Sequence, residues 1–192
     1  DGAIAVHLAG QQSGTATSAP MAAEQARFTS YVIDSIIGSY PMQKMLEKIN
    51  SPEDLKKLNI EEKQKLAKEL REYILEVVSE NGGHLASNLG VVELSIAMHY
   101  VFNPPSDPFI FDVSHQSYTH KLLSGRWNEF DSLRKFGGIS GYTKPSESEY
   151  DYFIAGHSST SISLAVGAAK AIKLKNENRL PVAVIGDGAL SA

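Results

Sequence analysis

The sequence predicts an α/β domain built on an open, mostly parallel sheet flanked by helices. Three observations carry the prediction. Two short apolar runs, "FIFDV" and "VAVIG", lack the polar alternation of a half-exposed strand and read as strands covered on both faces. Other segments place apolar residues at helical spacing. The order is helix, strand, helix, strand, which suggests a parallel sheet.

The elements follow in order. Ser51 precedes Pro52, so a short helix is expected there, with proline where a missing N–H costs nothing. Asn59 followed by Glu62 resembles a capping box. Leu66, Leu70, Tyr73, Ile74, Val77 and Val78 then recur at helical spacing among Lys and Glu, and Gly82-Gly83 ends that helix. "NGGHLASNLG" is expected as a glycine-bracketed loop and "VVELSIAMHYVF" as a buried helix. A strand over Phe109 to Val113 runs into a polar cluster, and "SYTHKLLSG" is the next helix. "FGGISGYTKPSESEYD" has too many Gly, Ser and Pro residues for a regular element. Loops of that length inside a domain are more often functional than idle. "HSSTSISLAVGAAKAIKLK" is a helix and "PVAVIG" the second strand.

Residues 1–41 look different. "GQQSGTATSAP" is small, polar and turn-rich and reads as loop or disorder, while "EQARFTSYVIDSII" has the pattern of a short amphipathic helix. This stretch is expected to be peripheral or foreign to the domain over 42–192, for which Met42 or Met45 makes a natural start.

Composition narrows the function. At 192 residues, 42% hydrophobic and 21% charged, the chain suits one globular domain. A formal net charge of -4 argues against a nucleic-acid partner. With no cysteine there is no disulfide, thiolate metal site or cysteine nucleophile. No stretch has the length of a membrane span, and no basic region precedes an apolar run, so neither membrane nor secretion is expected and a cytoplasmic location is the default.

In open parallel sheets, ligands sit beyond the carboxyl ends of the strands. The first strand runs into Ser114-His115-Gln116 and the second into Gly186-Asp187-Gly188, while Gly156-His157-Ser158 opens the helix between them with N–H groups that favour an anion. Each cluster also has an ordinary explanation: a tight turn for the glycines, a backbone-bonded histidine for His115, helix caps for Ser158 and Ser159. His84 and His120 read equally well as exposed loop or helix residues, and His99 as structural. Taken together the clusters suit a diphosphate held by a hard cation. Mg²⁺ takes oxygen ligands and shares them with phosphates. Asp187 supplies a carboxylate, and Gly188 lets backbone approach a phosphate oxygen.

The segments "GGHLASNLGVVELSIAMHYVF", "FDVSHQSYTHKLLSGR", "SGYTKPSESEYDYFIAGHSSTSISLAVG" and "VAVIGDGALS" closely resemble the amino-terminal part of the 1-deoxy-D-xylulose-5-phosphate synthase family, from about Met45 onwards. Transketolases share the GDG and a looser histidine pattern but not "SESEYD" or "HLASNLGVVEL". The resemblance implies a thiamine-diphosphate-binding fold. It implies a transferase that uses thiamine diphosphate and Mg²⁺ to condense pyruvate with glyceraldehyde 3-phosphate, releasing CO₂. That is the first step of non-mevalonate isoprenoid synthesis, and its product also feeds thiamine and pyridoxal synthesis. It further implies a homodimeric parent protein.

Carried over by motif, the resemblance makes Asp187 the Mg²⁺ ligand, Gly188 and Ala189 the backbone pair beside the diphosphate, and Gly156, His157 and Ser158 cofactor contacts. His115 becomes a cofactor contact near the reacting carbon and, with His84, a catalytic histidine; imidazoles suit proton transfer near neutrality. Most members have glycine where Ser114 stands, which leaves open a synthase-like or transketolase-like relative with another acceptor. A non-catalytic binding module is the remaining alternative. In the family an asparagine beyond the GDG completes the metal site and further domains follow. Only four residues follow Gly188 here, so the expectation is a domain truncated after the GDG and inactive alone.

Overall fold

The structure, a computed structural model, describes residues 45–191 and the backbone of Ile4–Leu8. The "GQQSGTATSAP" loop, the "EQARFTSYVIDSII" helix and the Met42 start lie outside the described residues. The strands are β1 (Ile4–Leu8), β2 (Phe109–Phe111) and β3 (Val182–Gly186). The helices are α1 (Pro52–Lys56), α2 (Ile60–Asn81), α3 (Leu85–Leu89), α4 (Val92–Val101), α5 (Tyr118–Lys121), α6 (Ser161–Leu174) and α7 (Asp187–Leu190).

The sheet is parallel, in the order β1-β3-β2. Five residues of the stretch expected to be peripheral, Ile4–Leu8, thus pair with Val182–Gly186 along one edge. The register sets Phe109 beside Val182, Ile110 beside Ala183 and Phe111 beside Val184. Because side chains alternate along a strand, this sorts the apolar residues into two faces. Phe109, Phe111, Val182 and Val184 pack under Met98 of α4; Ile110 and Ala183 pack under Ala165 of α6. Both faces are covered, which explains why neither strand alternates with polar residues.

The largest apolar cluster lies beside the sheet. Leu66, Leu70, Ile74 and Val77 form one stripe of α2, closed over by Leu55 of α1, Val92 and Ile96 of α4, Tyr118, Leu122 and Phe130. The capping box is present: the Asn59 side chain accepts from the Glu62 amide, and the Glu62 carboxylate accepts from the Asn59 amide, each at 2.9 Å. Pro52 opens α1 as expected, although the Ser51 side chain makes no cap bond.

Three expectations need correction. "NGGHLASNLG" is not all loop, since Leu85–Leu89 form α3. The first strand ends at Phe111, because Val113 and Ser114 have φ of 57° and 66°, which no strand accommodates. Helix α6 begins at Ser161, after a turn in which Ser159 has a φ of 67°. After α5 the chain continues through an irregular turn to Arg126, where Gly125 has a φ of 86°; a Cβ there would lie 2.3 Å from the Asn50 carbonyl oxygen, so only glycine fits.

The long loop is tied down rather than free. Glu147 and Asp151 of "SESEYD" meet three cationic or imidazole groups. Arg126 binds Asp151 through both Nη atoms at 2.9 Å, Lys121 pairs with Glu147, and the His120 Nε2 lies 3.2 Å from Asp151. The same carboxylates accept from the amides of Ser140 and Lys144, each at 2.8 Å. Burial opposes ionisation of Asp151, but the bonds and charges of His120 and Arg126 outweigh it and hold its carboxyl well below the usual range. His120, read from sequence as an exposed residue, is fully buried here and reaches the His99 Nε2 at 3.0 Å. His99 is structural, as expected, with its Nδ1 2.8 Å from the Ser95 carbonyl oxygen.

Candidate functional site

The carboxyl ends of β2 and β3 and the turn before α6 share one edge of the sheet, and named bonds fasten them together. Asp112, the residue after β2, is buried and accepts from the amides of Ser159 at 2.9 Å and Ser161 at 3.1 Å. The Ser114 hydroxyl donates to the Ala155 carbonyl at 2.9 Å and accepts from the Thr143 amide at 3.2 Å. The Ser159 hydroxyl donates to the Ala189 carbonyl at 2.8 Å, joining the α6 turn to the GDG turn.

These bonds also bear on the start of α6. The anion-favouring N–H groups of the expectation belong to Gly156, His157 and Ser158. The amides of Ser159 and Ser161 that follow them are taken by the protein's own carboxylate, Asp112. Asp112 thus takes up two of the oriented N–H groups at this helix start, and the turn of Gly156–Ser158 precedes them.

Two of the predicted histidines come together. His84 precedes α3 and His115 follows β2; their rings stand edge to face with centroids 5.2 Å apart, and Tyr142 of the long loop lies 5.9 Å from His84. Asn88 of α3 holds this pairing, because its amide donates to the carbonyls of His84 at 2.6 Å and His115 at 2.8 Å. Its own oxygen accepts from the Tyr118 amide. Burial, aided by the Arg134 charge, lowers the His84 pKa. Burial and the neighbouring His84 lower that of His115 against the opposing pull of Asp112. Both rings are therefore neutral at pH 7. The Nδ1 of each is buried without a hydrogen-bond partner. Buried polar atoms are nearly always paired in a finished structure, so two such atoms on facing rings point to a bound molecule or water.

Gly156 and His157 line a cleft of about 460 Å³ together with Ala155, Ser159 and Thr160. Ser158 lies exposed in the same turn. Asp187 opens α7 at the end of β3; it is exposed, and its Oδ1 accepts from the Gly188 amide at 2.9 Å. Ala189 is joined to the cleft through Ser159. The site residues thus form two groups, the His84–His115 pair and the His157 turn with the GDG turn, linked through Asp112 and Ser114.

The residues fit a phosphate-bearing organic cofactor. A Cβ at Gly156, Gly186 or Gly188 would meet nothing within 4 Å, so backbone there borders open space. The unpartnered imidazole nitrogens offer polar contacts. Among the described residues no group of three or more His, Asp or Glu side chains could hold a metal ion. Asp187 stands as a lone carboxylate, and a magnesium ion there would complete its shell with phosphate oxygens and water, as that ion commonly does.

Sequence reasoning missed Asp112, Tyr142, Asn88 and the internal use of Ser114. Asp112 carried a signal, a carboxylate at the end of an apolar strand, but it was absorbed into that strand. The others had none, because their roles depend on partners 27 to 58 residues away.

Residues 46–192 match the model of the family described as 1-deoxy-D-xylulose-5-phosphate synthase. The chain is 76% identical over 139 residues to a protein of that name from Campylobacter hominis, covering 72% of this chain and 23% of that protein. A namesake from a Nitratiruptor species is 69% identical over 139 residues, with the same shares. One from Campylobacter jejuni is 69% identical over 144 residues, 75% of this chain and 23% of the relative. The chain therefore spans under a quarter of the length of these relatives. The match takes in both strand ends, the α6 turn and the early histidine, and on that span the chain belongs to the 1-deoxy-D-xylulose-5-phosphate synthase family.

Proposed function

We propose that this chain is the cofactor-binding part of a 1-deoxy-D-xylulose-5-phosphate synthase, and that the whole protein condenses pyruvate with glyceraldehyde 3-phosphate and releases CO₂. The observation that carries the reading is the facing His84–His115 pair with two unpartnered Nδ1 atoms, fastened to the same sheet edge as the GDG turn. Bound thiamine diphosphate supplies the electron sink for such a condensation, which no amino-acid side chain provides.

The chain's own residues bind, orient and move protons. Asp187 would hold Mg²⁺ through the carboxylate oxygen not engaged by Gly188, with Gly188 and Ala189 presenting backbone to the diphosphate. Gly156, His157 and Ser158 would line the cofactor from the turn before α6. His84 and His115, neutral at pH 7, can each take up or give a proton at Nδ1. Tyr142 would limit water at the His84 ring.

Among the described residues no helix is long and apolar enough to cross a membrane. A cytoplasmic homodimer is the state proposed for the whole protein. Exposed apolar side chains on α6, Val166 and Leu174, give it a surface to bury. Ser114 lends no support to a different acceptor, since its hydroxyl is buried and bonded to Ala155 and Thr143.

Calorimetric titration of the chain with thiamine diphosphate and Mg²⁺ tests the reading. Binding that depends on Mg²⁺ is expected, and Asp187→Asn is expected to weaken it by about 10- to 100-fold. Binding of equal strength without the cation, or an unaffected Asp187→Asn, would remove the metal role from Asp187.

A further inference from the structure

Helices are usually capped by a residue of their own chain segment. The residue before α6, Thr160, makes no such bond. The acceptor comes instead from Asp112, 47 residues before Ser159 and 49 before Ser161. The amide of Asp112 donates to the Val184 carbonyl of β3 at 2.8 Å, so the same residue is anchored to the central strand. Ser159, held in a left-handed conformation, sends its hydroxyl to Ala189 just beyond the GDG. A continuous path therefore runs from β3 through Asp112 to Ser159 and Ser161, directly after the turn of Gly156–Ser158, and from Ser159 back to the residue that follows Gly188.

We propose that Asp112 is the positioning residue of the cofactor site: it holds the Gly156–Ser158 turn at a set distance from the GDG turn, with Ser159 as the link. The proposal rests on the reading of this edge as a thiamine diphosphate site. Asp112 need not touch the ligand. Its two carboxylate oxygens suit the task because each takes one amide, and charge-assisted bonds of this kind are the stronger ones. An asparagine has one acceptor oxygen and presents an N–H₂ group to the second amide. The substitution therefore keeps the shape and breaks the clamp.

Amide hydrogen exchange on the chain without ligand gives the first readout, because local opening is read there segment by segment. In Asp112→Asn, amides 159–161 and 188–190 are expected to exchange about tenfold faster or more, while those buried in α2 keep their rates. Titration with thiamine diphosphate and Mg²⁺ gives the second, with an expected loss of about tenfold or more in affinity. Ser159→Ala leaves the Asp112 bonds in place and removes the hydroxyl that reaches Ala189. It is expected to loosen 188–190 alone, and unchanged exchange there in this variant overturns the Ser159 link even if Asp112→Asn does not fold. Unchanged exchange at 188–190 overturns the coupling. Faster exchange throughout α2 overturns it too, since Asp112 would then support the fold at large. Faster exchange with undiminished affinity overturns the positioning role. A wild-type chain that binds no thiamine diphosphate overturns the cofactor reading instead, and the ligand-free exchange pattern still decides the coupling.

Discussion

At the scale of single residues, burial disfavours the protonated form of two facing imidazoles. His84 and His115 both have lowered pKa values, chiefly through desolvation, and each leaves a nitrogen unpartnered. A neutral ring beside a reacting group can accept a proton at physiological pH, which a protonated ring cannot. His84→Asn in the whole enzyme is expected to lower turnover by about 10²- to 10⁴-fold, the usual span for a lost acid–base group, with thiamine diphosphate affinity almost unchanged. Steady-state kinetics beside calorimetry checks this, and an equal loss in both would make His84 a binding residue only. Ser114 has a backbone and a hydroxyl role that its type alone does not reveal. Its φ of 66° lies where glycine is favoured, so the backbone here would suit glycine as well. Its hydroxyl is buried and joins Ala155 to Thr143.

At the scale of elements, α2 is the best-determined piece. Its stripe of Leu66, Leu70, Ile74 and Val77 is almost wholly buried, and its start is closed by a reciprocal cap. Asn59→Ala is expected to cost about 1 kcal/mol, since the Glu62 amide loses its acceptor in an exposed setting. Leu70→Ala, at 0% exposure, is expected to cost about 2–5 kcal/mol because neighbours fixed by Leu55, Ile96 and Phe130 cannot close the cavity. Denaturant midpoints for the two variants check the order; a larger loss in Asn59→Ala would contradict it. The long loop belongs to the same scale. Its composition ruled out regular structure, yet Glu147 and Asp151 fasten it to Lys121 and Arg126 as firmly as a strand is fastened. Breaking such a buried pair on one side leaves an unmatched charge, which opposes release of the loop.

At the scale of the whole molecule, the buried ionisable groups set the response to acid. His99 is fully buried against Ser95, His120 and Phe109, and desolvation lowers its pKa from 6.5 to about 3, with the His120, Arg126 and Lys56 charges adding to the effect. The unfolded chain binds a proton there below pH 6.5 and the folded chain does not. Stability therefore falls as pH drops from 6.5 towards 3, by at most about 1.4 kcal/mol per pH unit for this group, and levels off below. Asp151 acts in a lower window: its folded pKa is depressed from 3.8, so its contribution is complete above that value and is lost as pH falls further. Urea unfolding at pH 7 and pH 5 is expected to show lower stability at pH 5, with a smaller difference in His99→Asn; an unchanged difference would sink the assignment to His99.

The local pattern of the chain was enough for the class of fold, the identity of α2 and its cap, the parallel pairing of two apolar strands, and the family. The first three follow from spacing and residue type over a few turns, which neighbouring side chains decide among themselves; the family followed from the resemblance of several long segments. Tertiary structure alone decided that Asp112 occupies the start of α6, that His120 is buried in an ion network, that Ile4–Leu8 joins the sheet, and that His84 meets His115. Each of these depends on groups far apart in sequence being driven together by burial of apolar surface. The bonds they then make are fixed by distance in space, which no short-range pattern records.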